Sequence, residues 1–253
     1  MSAYKVVIIG AGNVASHLIR SITSSGHKLI QIYNRTLSHI PPTSINVTGS
    51  INSIRLDGDI YMICVKDVAI ADFANQLRLE NKLVVHTSGN RSIDLLKNSS
   101  ENYGVFYPIQ TFTKNVPINF KKVPIVIEAN NQKAFGMLQE FAQSISNHVV
   151  EMSESERQKL NVAGVFVNNF TNHLYTLTYE YLKKEQIDFN ILKPLIHNTV
   201  DKLDLGNPIE MQTGPAVRGD IETIESQLNL LKEYPILEKL YDQLTKSIIE
   251  SKK

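Results

Sequence analysis

The stretch Tyr4-Lys5-Val6-Val7-Ile8-Ile9-Gly10-Ala11-Gly12-Asn13-Val14-Ala15 decides the fold. Tyr4, Val6, Val7, Ile8 and Ile9 suit a strand buried on both faces, as parallel strands are. A glycine turn comes next, then apolar residues at helical spacing: Val14, Leu18, Ile19 and Ile22. Strand, glycine turn and helix, in that order, make the context in which G-x-G-x-x-A reads as a dinucleotide-binding fingerprint. Gly10 lets the chain turn tightly, Gly12 lets the backbone approach a pyrophosphate, and Ala15 is small enough for the helix to pack on the strand. The helix N-terminus offers N–H groups and partial positive charge to the phosphates. Gly10, Ala11, Gly12, Asn13 and Val14 are therefore cofactor-binding candidates. The competing reading is a fold of this class that has lost its nucleotide.

Working outward, the first helix should end near Gly26, and a second strand, Lys28 to Tyr33, runs into Asn34-Arg35-Thr36. That tripeptide lies about 20 residues past the glycine turn, where the ribose-reading residue belongs. A carboxylate there would accept from a 2′-hydroxyl and repel a 2′-phosphate. Here stand an amide, a guanidinium and a hydroxyl, and Arg35 can grip a phosphate bidentately. The alternative is a surface arginine in a loop. Asn34, Arg35 and Thr36 favour NADP over NAD.

Composition narrows the rest. At 253 residues, 42% hydrophobic and 20% charged, the chain has room for one large or two modest globular domains. A formal net charge of +1 gives no broad field to recruit nucleic acid or an anionic membrane. One cysteine, Cys64, sits in the apolar run Ile60 to Val65 and reads as a small buried hydrophobe. With no membrane-spanning run and no charged-then-apolar leader, a soluble protein of a reducing compartment, the cytoplasm, is expected.

Residues 37–58 are polar, hold Pro41-Pro42, and predict a loop with a short strand near Val47 and a helical turn from Ile51. Strands are expected at Asp59 to Val65, Lys82 to Thr87, Tyr103 to Tyr107, Pro124 to Glu128 and Val149-Val150. Helices are expected at Val68 to Leu79, Ile93 to Lys97 and Ala134 to Ile145. The alternation predicts an α/β, doubly wound parallel Rossmann sheet over residues 1–152. Val65 and Lys66 would then stand at a strand's ligand-binding end, as would Ser88 and Gly89.

Residues 153–253 carry no strand pattern and predict an all-α C-terminal domain. Ser153 and Glu156 form a capping-box pattern ahead of a long helix to about Lys184. Asn161, Val165, Asn168 and Asn172 recur at four, three and four, with Arg157 upstream, and so share one helical face. Amides on one face are either a solvated surface or a site, and Ala163 and Gly164 would permit close approach. Further helices are expected at Phe189 to Leu203, Ile221 to Lys232 and Ile236 to Ser251. A loop carrying Thr213-Gly214-Pro215-Ala216-Val217-Arg218-Gly219-Asp220 lies among them.

On these residues the chain resembles bacterial two-domain proteins with an N-terminal Rossmann-like NADP-oxidoreductase domain and a C-terminal helical domain of unknown function. These are distant relatives of pyrroline-5-carboxylate reductase, ketopantoate reductase and the β-hydroxyacid dehydrogenases. The motifs are Gly10 to Val14, His86-Thr87-Ser88-Gly89, Tyr107-Pro108-Ile109-Gln110-Thr111-Phe112, Val165 to Phe170 and Thr213 to Asp220. Tyr107 stands where the family usually has His, and Gln227 where a His often follows the Arg-Gly-Asp turn. The resemblance implies NADP binding and a homodimer built on the helical domain, and it supplies no substrate.

Two residues are candidate proton donors. His86 could donate near neutral pH, or be bonded under the sheet rim. Lys159 lies early in the long helix, where β-hydroxyacid dehydrogenases place a catalytic lysine ahead of an asparagine; the alternative is a surface lysine. Substrate candidates are Gln110, Asn168, Asn172, Thr213, Arg218 and Asp220. Arg218 could hold a carboxylate or phosphate, or pair with Asp220 to brace its loop. The asparagine face and the Thr213 to Asp220 loop are expected to meet at the nicotinamide side of the cleft. No metal-ligand spacing is visible among the seven histidines. Two functions remain open: an NADP-dependent oxidoreductase reducing a small carbonyl or imine substrate, or a non-catalytic NADP-binding sensor.

Overall fold

The computed structural model describes residues 3–40, 43–114 and 116–251, so the loop expected at Pro41-Pro42 lies outside the described residues. The chain forms two compact units, Met1–Asn168 and Asn169–Lys253.

The first unit is built on an eight-stranded sheet of order β3-β2-β1-β4-β5-β6-β7-β8. The strands are β1 (Lys5–Ile9), β2 (Lys28–Tyr33), β3 (Val47–Thr48), β4 (Ile60–Ile63), β5 (Leu83–His86), β6 (Asn102–Pro108), β7 (Ile125–Ala129) and β8 (Val149–Glu151). Side chains alternate across the sheet and make a core on each face. Val6 and Ile8 pack with Leu18 and Ile22 of α1 (Asn13–Ser24) and with Leu138 and Phe141 of α3 (Gln132–Ile145). Val7 and Ile9 face the other way, toward Ile70 and Ala74 of α2 (Ile70–Ala74) and Leu77 and Leu79 beyond it. The helix expected from Val68 to Leu79 is shorter than its apolar pattern suggests. The chain leaves α2 early, and Leu79 donates its N–H to Ser99 O at 2.8 Å.

The sheet is parallel as expected except at β7, which runs antiparallel to β6. A parallel neighbour needs a long crossover, usually a helix. The segment between Pro108 and Ile125 has only a single 3-10 turn, Phe120–Lys122, among its described residues. It therefore returns along the ligand edge. Asn13 Nδ2 donates to Phe112 O at 2.8 Å and His17 Nε2 lies 3.0 Å from Thr113 O, tying this return to α1.

After the sheet comes α4 (Glu154–Gly164), started by the full capping box of Ser153 and Glu156. A π-helical segment, Val165–Phe170, comes next, and then α5 (Thr171–Lys184). A π turn inserts the equivalent of one residue and rotates the succeeding turns by about 100° relative to an α period. The four-three-four spacing of the asparagines therefore does not mark one uninterrupted face.

The second unit contains α5, α6 (Lys193–Asp201), α7 (Pro215–Arg218), α8 (Ile221–Leu230) and α9 (Pro235–Glu250). The Thr213 to Asp220 motif is a junction between helices. Gly214 (φ 112°) precedes Pro215 at the first turn of α7, and Gly219 (φ 66°, left-handed) ends it. Asp220 caps α8, accepting from Thr223 N at 3.1 Å and Thr223 Oγ1 at 2.8 Å. These backbone angles and the cap account for Gly-Pro and Gly-Asp in the motif.

Candidate functional site

At the C-terminal end of β1 the strand order diverges, with β2 and β3 to one side and β4 onward to the other, which is where open α/β sheets bind ligands. Gly10 turns there with φ 114°, and its N–H donates to Tyr33 O at 2.7 Å. A Cβ on Gly10 would stand 2.4 Å from the Cys64 carbonyl oxygen, so the neighbouring strand end leaves room for glycine alone. Gly12 is the N-cap of α1 and supplies no side-chain cap, no acidic residue occupies the first turn, and the space a Cβ would take is open. The leading N–H groups thus lie at an exposed, positively polarised helix start, bordered by Ala11, Asn13 and half-buried Val14. This cradle fits a dinucleotide diphosphate. Ala15 is fully buried, as close helix–strand packing requires.

On the β2 side, Asn34 is held by its N–H to Thr48 O (3.0 Å) and by Nδ2 to Thr36 O (2.6 Å). Arg35 and Thr36 are exposed, and Arg35 has no hydrogen bond or ion pair among the described residues. No carboxylate occupies positions 34–36.

On the β4 side, Val65 is half-buried and Lys66 exposed. The β5 end is a dense polar knot. The Ser88 hydroxyl donates to Asp67 Oδ2 (2.8 Å) and accepts from Asn90 N (3.2 Å). His86 is fully buried; Nδ1 accepts from Ser88 N (3.2 Å) and Nε2 lies 3.2 Å from Ser92 O. Burial pushes its pKa down to about 4. This is the geometry of a neutral imidazole bonded under the rim, with both nitrogens committed.

The end of β6 brings Tyr107 over Gly89, and the Tyr107 hydroxyl donates to Asn161 Oδ1 at 3.1 Å. Beneath lies Arg157 of α4, fully buried. Its Nη1 donates to the carbonyls of Ser88 (3.2 Å), Gly89 (3.0 Å) and Arg91 (2.9 Å). Its Nε and Nη2 reach Glu128 Oε2 at 3.2 and 2.6 Å. Arg157 therefore fixes the loop after β5 against α4 and β7. Sequence reasoning put Arg157 on the Asn161 face but not in this knot, and it missed Tyr107 and Asp67 as parts of it. The signal was the four-residue spacing of Arg157 and Asn161, which brings both toward the rim.

Lys159 does not join them. It is exposed, two residues on from Arg157 and so about 200° around the helix. Gln110 is exposed, with Oε1 accepting from its neighbour Thr111 N at 2.8 Å. Asn168 and Asn172 are exposed, as is Thr213. Arg218 lies 3.9 Å from Asp220, which is engaged as the α8 cap.

Residues 5–90 match the family described as NADP oxidoreductase coenzyme F420-dependent, and residues 123–248 match a domain of unknown function (DUF2520). No curated protein matches the chain. Among solved structures, a Bacteroides fragilis protein provisionally described as an NADP oxidoreductase is 33% identical over 98% of each chain, with a TM-score of 0.90. The 1-pyrroline-5-carboxylate reductase of Streptococcus pyogenes is 14% identical, covering 98% of this chain and 99% of that one, with a TM-score of 0.66. A reductive aminase from Aspergillus terreus, in complex with NADPH and ethyl-5-oxohexanoate, is 13% identical over 97% and 95%, with a TM-score of 0.69. The last two are likenesses of fold. Given the identity sustained along both whole chains and the cradle at Gly10 to Val14, the chain belongs to the NADP oxidoreductase family that joins a Rossmann-like domain to a DUF2520 domain, with NADP as cofactor.

Proposed function

We propose that the chain is an NADPH-dependent reductase of a small carbonyl or imine compound. The observation that carries this reading is the uncapped start of α1 at the switch point, with an exposed Arg35 on one side and a polar rim at β5 and β6 on the other. Strand spacing puts β5 about 10 Å from β1, within the span from diphosphate to nicotinamide. The backbone of Gly10 to Val14 holds the diphosphate, and Asn34, Arg35 and Thr36 receive the 2′-phosphate ribose. Val65, Lys66, Ser88 and Gly89 border the nicotinamide half. Bound NADPH supplies a hydride. We assign His86 to holding the Ser88 turn, because the one proton of its neutral ring, on Nε2, is engaged at the Ser92 carbonyl and Nδ1 accepts from Ser88 N. The carbonyl-or-imine class rests on the fold neighbours, which include a pyrroline-5-carboxylate reductase, an imine reductase and a reductive aminase.

Residues 1–152 are assigned to NADP binding and 153–253 to substrate and dimerisation, in a cytoplasmic homodimer. Its support is the apolar surface of the helices, with Ile191 70%, Leu205 77% and Ile209 75% exposed. Gln110, Asn168, Asn172, Thr213, Arg218 and Asp220 remain substrate candidates; Asn168→Ala and Arg218→Ala should each leave NADPH affinity nearly intact and abolish turnover. The deciding experiment tracks NADPH absorbance with a panel of small ketones, keto acids and cyclic imines. Oxidation coupled to product formation supports a reductase. Tight NADPH binding with no oxidation across the panel would instead favour the sensor.

A further inference from the structure

The rim holds a hydroxyl to which the cofactor cradle gives no role. Tyr107 stands at the end of β6, three strands from β1, so roughly 14 Å from the glycine turn. Its ring rests on Gly89, where a Cβ would lie 2.5 Å from the ring carbon Cζ. The loop after β5 is therefore shaped around this ring. The hydroxyl reaches Asn161 Oδ1 at 3.1 Å, and Asn161 is presented by a helix that Arg157 pins to the same loop.

The neighbouring groups are poorer proton donors. His86 is sealed and neutral, with both nitrogens engaged. Cys64 is buried, its thiol pushed up to about 12. Lys159 is exposed on the far side of α4. Asp67 accepts from the Ser88 hydroxyl. Tyr107 is half-buried, and burial holds its hydroxyl above the ordinary phenol value, so it keeps its proton at neutral pH. The charges acting on it are Arg157, which favours a phenolate, and Asp67, which opposes one; Glu128 is paired with Arg157.

We propose that Tyr107 is the catalytic proton donor and Asn161 its positioning residue, an assignment that rests on the reductase reading above. As hydride reaches the carbon of a neutral C=O or C=N bond, the π pair collects on oxygen or nitrogen. The Tyr107 O–H bond breaks, its proton forms the new O–H or N–H bond, and the electron pair stays on Oη. Asn161 turns its amide so that Nδ2–H donates to that oxygen, and Arg157 provides the nearby positive charge. Water restores the phenolic proton after product leaves. A cationic iminium brings its own proton, so dependence on Tyr107 is greatest for neutral carbonyls.

The test compares wild type, Tyr107→Phe and Asn161→Ala on that substrate panel, with NADPH affinity measured separately. Tyr107→Phe keeps the ring on Gly89. It should lower kcat on a ketone by about 100-fold or more, the usual worth of a positioned acid, with KM and NADPH Kd changed less than about threefold. Asn161→Ala should lower kcat about tenfold with the same pattern, a smaller share of that worth. A Tyr107→Phe protein that turns over a wild-type ketone substrate within about threefold of its rate overturns the proposal and leaves the reductase reading standing. A wild type that binds NADPH and reduces nothing in the panel overturns the reductase reading and this proposal with it. Loss of NADPH binding in Tyr107→Phe, with full kcat in Asn161→Ala, overturns it as a structural effect.

Discussion

Arg35 is exposed at the end of β2, beside no carboxylate within its tripeptide. NADPH should therefore bind at least about tenfold more tightly than NADH, a difference of about 1.4 kcal/mol. Arg35→Ala should erase most of that preference. Titration with both cofactors checks it, and equal wild-type affinities would refute the assignment. His86 carries a second expectation. Its folded pKa, about 4, lies below the unfolded value near 6.5, so the unfolded chain binds the extra proton first. The contribution of its neutral form is complete above the unfolded pKa and is lost as pH falls toward 4, by about 3 kcal/mol in total. Denaturant melts between pH 7.5 and about 4.5 should show this slope in wild type and a shallower one in His86→Gln, the difference isolating His86 from the carboxylates. Gly10 and Arg35 could be placed from the sequence because the fingerprint fixes their register. The burial of Arg157 could not, because burial depends on what packs around a charge and no local pattern records that.

The helix α4 shows how much a single element depends on one side chain. Ser153 and Glu156 start it, and both were legible as a capping box. What fixes it to the sheet is the Arg157 guanidinium on Glu128 and three carbonyls. Arg157→Met should cost about 3–5 kcal/mol, since it leaves a carboxylate and backbone carbonyls without their partner. Arg157→Lys should recover little, because an ammonium cannot span the fork that five N–H donors fill. Denaturation midpoints give both numbers, and a loss under about 1 kcal/mol in Arg157→Met would show the network to be dispensable. The strands around α4 were legible from their apolar runs. The antiparallel turn of β7 was not, because it depends on a connection lacking a helix rather than on the strand's own residues. The π segment at Val165–Phe170 likewise has no marker in its composition.

Across the whole chain the apolar residues are unevenly used. The sheet unit buries its central strands on both faces, whereas in Asn169–Lys253 only Ala216 and Ile224 are buried apolar residues among those described. Exposed apolar surface on these helices, with Leu205 77% and Ile209 75% exposed, is what the proposed dimer would cover. The chain should sediment as a homodimer at micromolar concentration, through an interface mainly in residues 153–253. A monomer would count against it, and Leu205→Glu with Ile209→Glu should shift the equilibrium toward monomer. The sheet itself is poorly equipped to recruit another copy. Its margins are β3, Val47–Thr48, and β8, Val149–Glu151. A margin of two or three residues offers too few unpaired amides to template an incoming strand, so fibril-like growth from the sheet edge is disfavoured.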